Sequence, residues 1–162
     1  MYKENLEVKK NRKGFGVYAT RPYKIGEKIC IMRGKKVVPK NLEYHEKNFR
    51  KAIIDPLQIG TTTYLVLEKP YIFLNHSCDP NVGVKGVSTL FAIKNIHKGD
   101  EITFDYSTTI DESFLCKCGS QNCRRVIVDF FGLPLSKQRA YARKGALQNF
   151  IKRKFEKIQS NL

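Results

Sequence analysis

Three cysteines within eight residues constrain the fold of this chain more than any other sequence feature. They follow the pattern Cys116-x-Cys118-x4-Cys123, and Gly119-Ser120 between them favours a tight turn. The chain has five cysteines in all. An odd number, clustered in this way, indicates a metal site in a reducing compartment rather than a disulfide scaffold. The spacing predicts structural zinc, and three unrelated free thiols are the alternative.

A zinc ion in a structural site takes four ligands, so one more must come from elsewhere in the chain. The candidates are Cys30, Cys78 and a histidine. Cys30 lies in the apolar stretch 28–32, where we expect a buried strand. Cys78 lies in a polar, loop-like segment, and we choose it for that reason. The predicted zinc ligands are therefore Cys78, Cys116, Cys118 and Cys123.

Charge is distributed unevenly along the 162 residues. The sequence contains 30 Lys and Arg against 15 Asp and Glu, for a net charge of +15. Residues 1–51 carry +10, residues 52–135 carry −2 and residues 136–162 carry +7. Such an excess favours nucleic acid or another acidic partner, bound through the basic N-terminal third and the C-terminal tail. A solvated helix face is the alternative for the tail.

Composition excludes several classes of protein. With 28% charged and 11% aromatic residues, we expect one domain with its own core rather than a disordered chain. No apolar run reaches membrane-spanning length, and the N-terminus lacks the apolar stretch of a secretory signal. We therefore expect an intracellular protein without a membrane partner.

Short apolar stretches separated by turns predict a mainly β (α+β) fold. Strands are predicted near residues 17–19, 28–32, 58–67, 90–93, 102–106 and 126–131, and a helix over 41–53. In the tail, apolar residues recur at three- and four-residue spacing, which predicts amphipathic helix. Gly145 is expected to divide the tail into two helices. The recurring apolar residues are Leu147, Phe150, Ile151, Phe155 and Ile158.

Three other segments carry polar or glycine-rich patterns. Residues 14–19 match the dinucleotide fingerprint G-x-G-x-x-A, but their charged and proline-containing flanks favour a glycine turn between strands, one that could admit a different cofactor. Residues 75–81 bring His76 close to Cys78, which suggests a thiol nucleophile, although no orienting third group is identifiable and a polar turn is the alternative. Residues 99–106 predict a turn and a strand that ends on Tyr106.

Taken together and in this order, these motifs resemble those of a SET-domain protein-lysine methyltransferase. The resemblance rests on the glycines at 14–16, the Asn-His-Ser-Cys sequence at 75–78 and the strand leading to Tyr106. The cysteines at 116–123 are similar to the family's post-SET zinc motif. The resemblance covers roughly residues 5–130, and the compact form looks more like bacterial or viral members than large chromatin enzymes.

The resemblance implies a fold, two bound groups and a set of site residues. The fold is one of small twisted sheets, with a pseudoknot that joins the segment 75–78 to Tyr106. The bound groups are S-adenosylmethionine and structural zinc, and the family's fourth thiolate agrees with the choice of Cys78. Tyr106 is implied as the catalytic residue, with Phe104 beside it in the substrate channel. The implied cofactor contacts are Gly14, Phe15, Gly16, Tyr64, Asn75, His76 and Lys117.

The predicted function is S-adenosylmethionine-dependent methyl transfer to the ε-amine of a lysine in a protein. A histone, a histone-like protein or a ribosomal protein is the expected substrate, in the cytoplasm of a bacterium or the nucleus of a eukaryote. The family resemblance, with Phe104 at this position rather than a tyrosine, implies products beyond monomethyl-lysine. The predicted parts are a SET domain at 5–112, a post-SET zinc segment at 113–131 and a basic helical tail at 132–162. The alternatives are a non-catalytic zinc-containing module that binds nucleic acid and a SET-like protein that binds without catalysis.

Overall fold

The computed structural model describes residues 5–38 and 56–161, which form several small sheets, three short 3-10 turns and two α-helices. The 3-10 turns span Tyr71–Phe73, Tyr106–Thr108 and Phe130–Gly132. The strands are β1 (Leu6–Asn11), β2 (Gly14–Ala19), β3 (Lys28–Ile31), β4 (Gly34–Val37), β5 (Leu57–Gln58), β6 (Tyr64–Leu67), β7 (Asn75–His76), β8 (Val82–Lys85), β9 (Thr89–Ala92), β10 (Thr103–Phe104), β11 (Phe114–Leu115) and β12 (Val126–Ile127). The helices are α1 (Leu135–Arg143) and α2 (Asn149–Gln159).

Most strand pairs are antiparallel and short. β1 and β2 form a hairpin, β3, β9 and β8 form one sheet in that order, and β4, β6 and β5 form another. β11 pairs with β12 within the cysteine-rich segment. β7 and β10 pair in parallel, which brings together two segments that are distant in sequence. This mainly β architecture confirms the predicted fold class.

The main core lies between the hairpin and the two three-stranded sheets. Alternation along β2 turns Val17 and Ala19 inward, and both are fully buried together with Leu6 of β1. Met32 and Cys30 are also buried in this cluster, as predicted for the apolar stretch that contains Cys30. The sheets thus form a fixed platform for the loops that connect them.

The two tail helices form a second core with the back of β9. Ile151 and Phe155 on the inner face of α2 are buried in one cluster with Phe91, as the apolar periodicity predicts. Gly145, with a φ of +66°, ends the first helical segment, so the predicted division into two helices is confirmed. A Cβ on Gly83 of β8 would lie 2.6 Å from the Cβ of Ala146, so glycine permits this close packing.

Several predicted elements match the structure and others differ from it. Strands are present at 14–19, 28–31, 64–67 and 89–92, in agreement with the pattern. The strand expected to end on Tyr106 stops at Phe104, and Tyr106 begins a 3-10 turn that Asp105 caps by accepting a hydrogen bond from the Ser107 amide. Similarly, the strand expected over 126–131 ends at Ile127. The helix predicted over 41–53 lies outside the described residues.

Within residues 5–38 and 56–161, no helix has both the length and the apolar character needed to cross a membrane.

Candidate functional site

The turn between β1 and β2 falls at residues 12–13, so residues 14–16 form the start of β2 and not the predicted glycine turn. They lie directly against the Asn75 segment. The Asn75 side-chain amide donates to the Phe15 carbonyl at 2.9 Å and to Glu101 Oε1 at 2.7 Å. A Cβ on Gly16 would lie 2.5 Å from the same Glu101 oxygen, so no larger residue fits there without a shift. Two motifs that are distant in sequence therefore form one surface, as the resemblance implies.

Parallel pairing of β7 with β10 joins the middle motif to the Tyr106 segment. Asn75 faces Thr103 and His76 faces Phe104 in the register of this pair. The Ser77 amide donates to the Phe104 carbonyl at 3.1 Å, which continues the contact past the strand. The predicted junction between these segments is thus present in the fold.

A cavity of about 300 Å³ lies where these segments meet. Gly14, Phe15, Asn75, Phe104 and Tyr106 line it, and half of the remaining lining residues belong to β5, β6 and the 3-10 turn Tyr71–Phe73. A more open cavity of about 270 Å³ lies on the side of the cysteine-rich segment.

The two cavities share lining residues, among them Asn75 and Tyr106, and the second is also lined by His76 and Lys117. Two molecules bound in these cavities could therefore meet at Tyr106. Such an arrangement suits transfer of a small group from one bound molecule to another.

Tyr106 is held on three sides. Its hydroxyl donates to the Leu74 carbonyl at 2.7 Å, and its backbone amide donates to His76 Nδ1 at 3.1 Å. Its ring centroid is 4.9 Å from that of Phe104 and 5.2 Å from that of His76. A tyrosine fixed in this way presents its hydroxyl at a defined point of the cavity wall, which is what a positioning hydroxyl requires.

Tyr64, a further predicted cofactor contact, is not among the residues that line these two cavities. Its hydroxyl donates to the Asp111 carboxylate. Burial and this hydrogen bond raise the pKa of Tyr64 to about 12, so the hydroxyl stays protonated at neutral pH. The structure thus brings together the other predicted site residues but gives Tyr64 a different partner.

The four cysteines predicted as zinc ligands lie together. The Cys116 Sγ is 3.6 Å from the Cys78 Sγ and 3.6 Å from the Cys123 Sγ. Cys118 belongs to the same cluster, with its sulfur within 4.8 Å of those of Cys78 and Cys116. Tetrahedral zinc with Zn–S bonds of about 2.3 Å holds its sulfurs about 3.8 Å apart. The donor chemistry and the spacing of this cluster therefore fit zinc.

The thiols of this cluster differ in acidity in the absence of a metal. Burial raises the pKa of Cys78 and Cys116. Burial opposes ionisation of Cys118 as well, but nearby backbone amides and the neighbouring thiols lower its pKa to about 7. At least one thiolate is thus accessible near neutral pH, which a metal ion needs as its first ligand.

His76 also lies within this cluster, with Nε2 3.2 Å from the Cys78 Sγ. Its other nitrogen accepts the Tyr106 amide hydrogen, so a neutral ring carries its proton on Nε2, facing the sulfur. Burial lowers the pKa of His76 to about 4, which keeps the ring neutral. This geometry suits a hydrogen bond from His76 to a Cys78 thiolate. The four donors that lie within 4.8 Å of one another are those of His76, Cys78, Cys116 and Cys118, and Cys123 contacts this group through Cys116.

A buried carboxylate next to Tyr106 was not singled out by the sequence. The Asp105 side chain is 0% exposed, and Arg124 donates to both of its oxygens, at 2.7 and 2.8 Å. The Tyr141 hydroxyl donates to the same carboxylate at 2.7 Å. The position of Arg124 directly after Cys123, a predicted zinc ligand, could have pointed to its role. Tyr141 had none, because it lies 36 residues from Asp105.

The family of the chain follows from comparison with known proteins. The family model for the SET domain matches residues 14–107, which is more than half of the chain and contains both the glycines at the start of β2 and Tyr106. The chain belongs to the SET-domain family. This SET domain is 34% identical over 139 residues to the variant-silencing SET domain-containing protein of Plasmodium falciparum, a match that covers 74% of the chain and 6% of that protein.

Two further similarities agree with this assignment. The chain is 30% identical to the histone-lysine N-methyltransferase ATX2 of Arabidopsis thaliana, over 72% of the chain and 12% of that protein. The solved structure of KRYPTONITE in complex with mCHG DNA and SAH has the same fold, with a TM-score of 0.57, 24% identity, and coverage of 76% of this chain and 29% of that one. The chain thus spans only a small part of the relatives that it matches.

Proposed function

We propose that this SET domain transfers a methyl group from S-adenosylmethionine to the ε-amine of a lysine in a protein. The observation that carries the proposal is the meeting of two cavities at Tyr106, formed where β7 and β10 pair. The names of similar proteins, which include histone-lysine N-methyltransferases from plants and flies, support the same reaction.

The cofactor-binding residues on this proposal are those predicted from the sequence. Gly14, Phe15 and Gly16 offer backbone atoms, and Asn75 and His76 lie beside them. Lys117 lines the cavity next to the cysteine cluster, where it would contact the adenine of the cofactor. S-adenosylmethionine supplies an activated methyl group on a positively charged sulfur. Its complete contact set, including any role for Tyr64, belongs to the proposal.

The cavity wall prepares the substrate amine for attack. A lysine amine must be neutral to accept a methyl group, and with a pKa of about 10.4 its deprotonation near pH 7.5 costs about 4 kcal/mol. Apolar residues such as Leu67 and Leu74 line the cavity and disfavour the charged ammonium. Tyr106 then orients the neutral amine with its hydroxyl, so that the nitrogen lone pair points towards the methyl carbon.

Zinc has a structural role on this proposal. Its ligands tie the segment between β11 and β12 to Cys78, which lies two residues after His76. This holds Phe114 and Lys117 over the more open cavity. The zinc ion thus stabilises one wall of the site and takes no part in the chemistry.

The substrate is proposed to be a histone or another basic protein, such as a histone-like or ribosomal protein. The names of the similar plant and fly proteins favour a histone lysine as the acceptor. Within the described residues, the acidic side chains Asp111 and Glu112 follow the Tyr106 turn closely and would attract a basic peptide. A histone substrate would place the protein with chromatin.

The number of methyl groups added is proposed to depend on Phe104. Its ring lies 4.9 Å from that of Tyr106 and is buried in the cavity wall. We expect products beyond monomethyl-lysine, because phenylalanine leaves the space that a tyrosine hydroxyl would occupy. Phe104→Tyr should shift the products towards monomethyl-lysine without changing cofactor affinity by more than about threefold.

Mass spectrometry of a lysine peptide, sampled over time with excess cofactor, measures this product distribution. Monomethyl-lysine as the sole product of the unchanged chain at long times would contradict the prediction. Phe91→Tyr, a buried substitution in the cluster of the tail helices, is the matched control and should not alter the distribution.

The tail helices are also proposed to contact nucleic acid through their outer face. On α2, Arg153 and Lys157 are exposed and lie four residues apart, and Glu156 is the one acidic residue of that helix. The DNA complex of the structurally similar KRYPTONITE supports the idea of a SET protein held on nucleic acid. A helix face that carries exposed lysine and arginine binds the phosphates of nucleic acid irrespective of the base sequence.

Salt titration of duplex DNA binding tests this interaction. Replacing Arg153 and Lys157 by glutamine should reduce the slope of log affinity against log salt by about 0.9 for each phosphate that the variant no longer neutralises. The matched control replaces Lys94 and Lys98, which belong to the acidic middle region of the sequence. Absent or salt-insensitive binding of the full chain would show instead that this face is simply solvated.

A further inference from the structure

The 3-10 turn that contains Tyr106 is stabilised by the residue before it, Asp105. Asp105 precedes Tyr106 and caps the 3-10 turn Tyr106–Thr108 by accepting the Ser107 amide hydrogen at 3.1 Å. Its backbone carbonyl accepts from the Thr108 amide and from the Thr108 hydroxyl. The path of the chain through Tyr106 is therefore fixed by the orientation of Asp105.

Asp105 is in turn fixed by two groups from distant segments. Arg124 approaches from the cysteine-rich segment and donates to both carboxylate oxygens, while its backbone amide donates to the Cys78 Sγ at 3.4 Å. Tyr141 approaches from α1 and donates to Oδ2 at 2.7 Å. A fully buried carboxylate needs such partners, because each missing hydrogen bond to a buried charge is costly.

Tyr141 is placed by packing and not by chance contact. The residue is 7% exposed and lies in the cluster that joins α1 and α2 to β9. Burial and the negative charge of Asp105 raise the pKa of Tyr141, so its hydroxyl stays protonated and acts as a donor at neutral pH. The tail helices thereby direct one O–H group at the carboxylate beside Tyr106.

We propose that Tyr141 is a positioning residue for Tyr106, and that the tail helices are needed for catalysis because they carry Tyr141. The inference rests on the proposed role of Tyr106. On this inference, Tyr141 of α1 orients Asp105 by a hydrogen bond, and Asp105 caps the 3-10 turn. The turn then positions the Tyr106 hydroxyl at the cavity. Loss of the Tyr141 hydroxyl should loosen the turn while leaving the ring packed.

Hydrogen exchange of the full chain tests the structural half of this inference. Tyr141→Phe should raise the exchange rates of the amides of Tyr106, Ser107 and Thr108 by about tenfold or more, the effect expected when a hydrogen bond to a buried charge is removed. Phe155→Leu is the matched control, because it weakens the same helix packing without touching Asp105. It should speed exchange in α1 and α2 and leave the turn unchanged. Unchanged exchange at the turn in Tyr141→Phe, or equal acceleration in both variants, would overturn the proposal.

Steady-state kinetics of the same proteins tests the functional half. Tyr141→Phe should lower kcat about tenfold, with the KM for peptide and the Kd for cofactor within twofold, and Phe155→Leu should keep more than half of kcat. A Tyr141→Phe enzyme with more than half of the normal kcat would refute the positioning role. Failure of the unchanged chain to transfer methyl would refute the proposed function, and the exchange data would still decide whether α1 holds the turn.

Discussion

Replacing Tyr106 by phenylalanine is expected to lower kcat for methyl transfer at least about a hundredfold, with the Kd for S-adenosylmethionine changed by less than threefold. The substitution removes one hydroxyl, which donates to the Leu74 carbonyl at the cavity. The ring contacts with Phe104 and His76 remain, so the wall of the cavity keeps its shape. Single-turnover transfer and calorimetric cofactor binding measure the two quantities separately.

Tyr23→Phe is the matched control for the Tyr106 variant. Tyr23 is 2% exposed in the main core, and its hydroxyl lies 3.5 Å from the Asn5 carbonyl, on a side of the fold that lines neither cavity. It should keep normal kcat. A Tyr106→Phe enzyme with full activity would remove this hydroxyl from the reaction.

Replacing Cys116 by alanine is expected to weaken zinc binding strongly and to lower both Tm and activity. The Cys116 Sγ lies 3.6 Å from those of Cys78 and Cys123, so its loss removes the predicted ligand that lies between these two thiols. The segment between β11 and β12 is then no longer tied to Cys78. We expect Tm to fall by only about 10 °C, because the sheets retain their own core. Activity should fall about tenfold or more, because Phe114 and Lys117 no longer cover the cavity.

Metal analysis of freshly purified, reduced protein measures the zinc content directly. The unchanged chain should hold about one equivalent. Cys30→Ala is the matched control, because Cys30 is buried in the main core and lies outside the cysteine cluster. It should retain zinc while losing some stability. Less than about half an equivalent in the unchanged chain, or full zinc in Cys116→Ala, would contradict the four-cysteine site.

The motifs of the site were accessible to sequence analysis because their chemistry is local. The spacing Cys116-x-Cys118-x4-Cys123 predicts three ligands of one metal site from eight consecutive residues, and Cys78 was predicted as the fourth from the polarity around it. The stripe containing Ile151 and Phe155 predicted a helix with one buried face, and both residues are buried. Such a pattern predicts structure well because it depends on a single helix and not on contacts with other segments.

What the sequence could not provide depends on contacts between distant segments. β7 and β10 are two residues long each, too short for any period, and their pairing was implied only by family resemblance. The 3-10 turn at Tyr106 depends on the capping carboxylate of Asp105, which an alternating apolar pattern does not reveal. The hydrogen bond from Tyr141 to that carboxylate forms because the tail folds back on β9. The amphipathic pattern of the tail predicts that one helix face is buried, but not which element that face packs against.

The measurement that tests the central claim most directly is methyl transfer from labelled S-adenosylmethionine to lysine. Histones and a mixture of other basic proteins are incubated with the unchanged chain and with Tyr106→Phe, and the labelled bands are analysed by mass spectrometry. We expect methylated lysine in at least one basic protein with the unchanged chain and about a hundredfold less with the variant. Folded, zinc-loaded protein that binds the cofactor and labels no lysine, or that labels it equally without the Tyr106 hydroxyl, would contradict the claim.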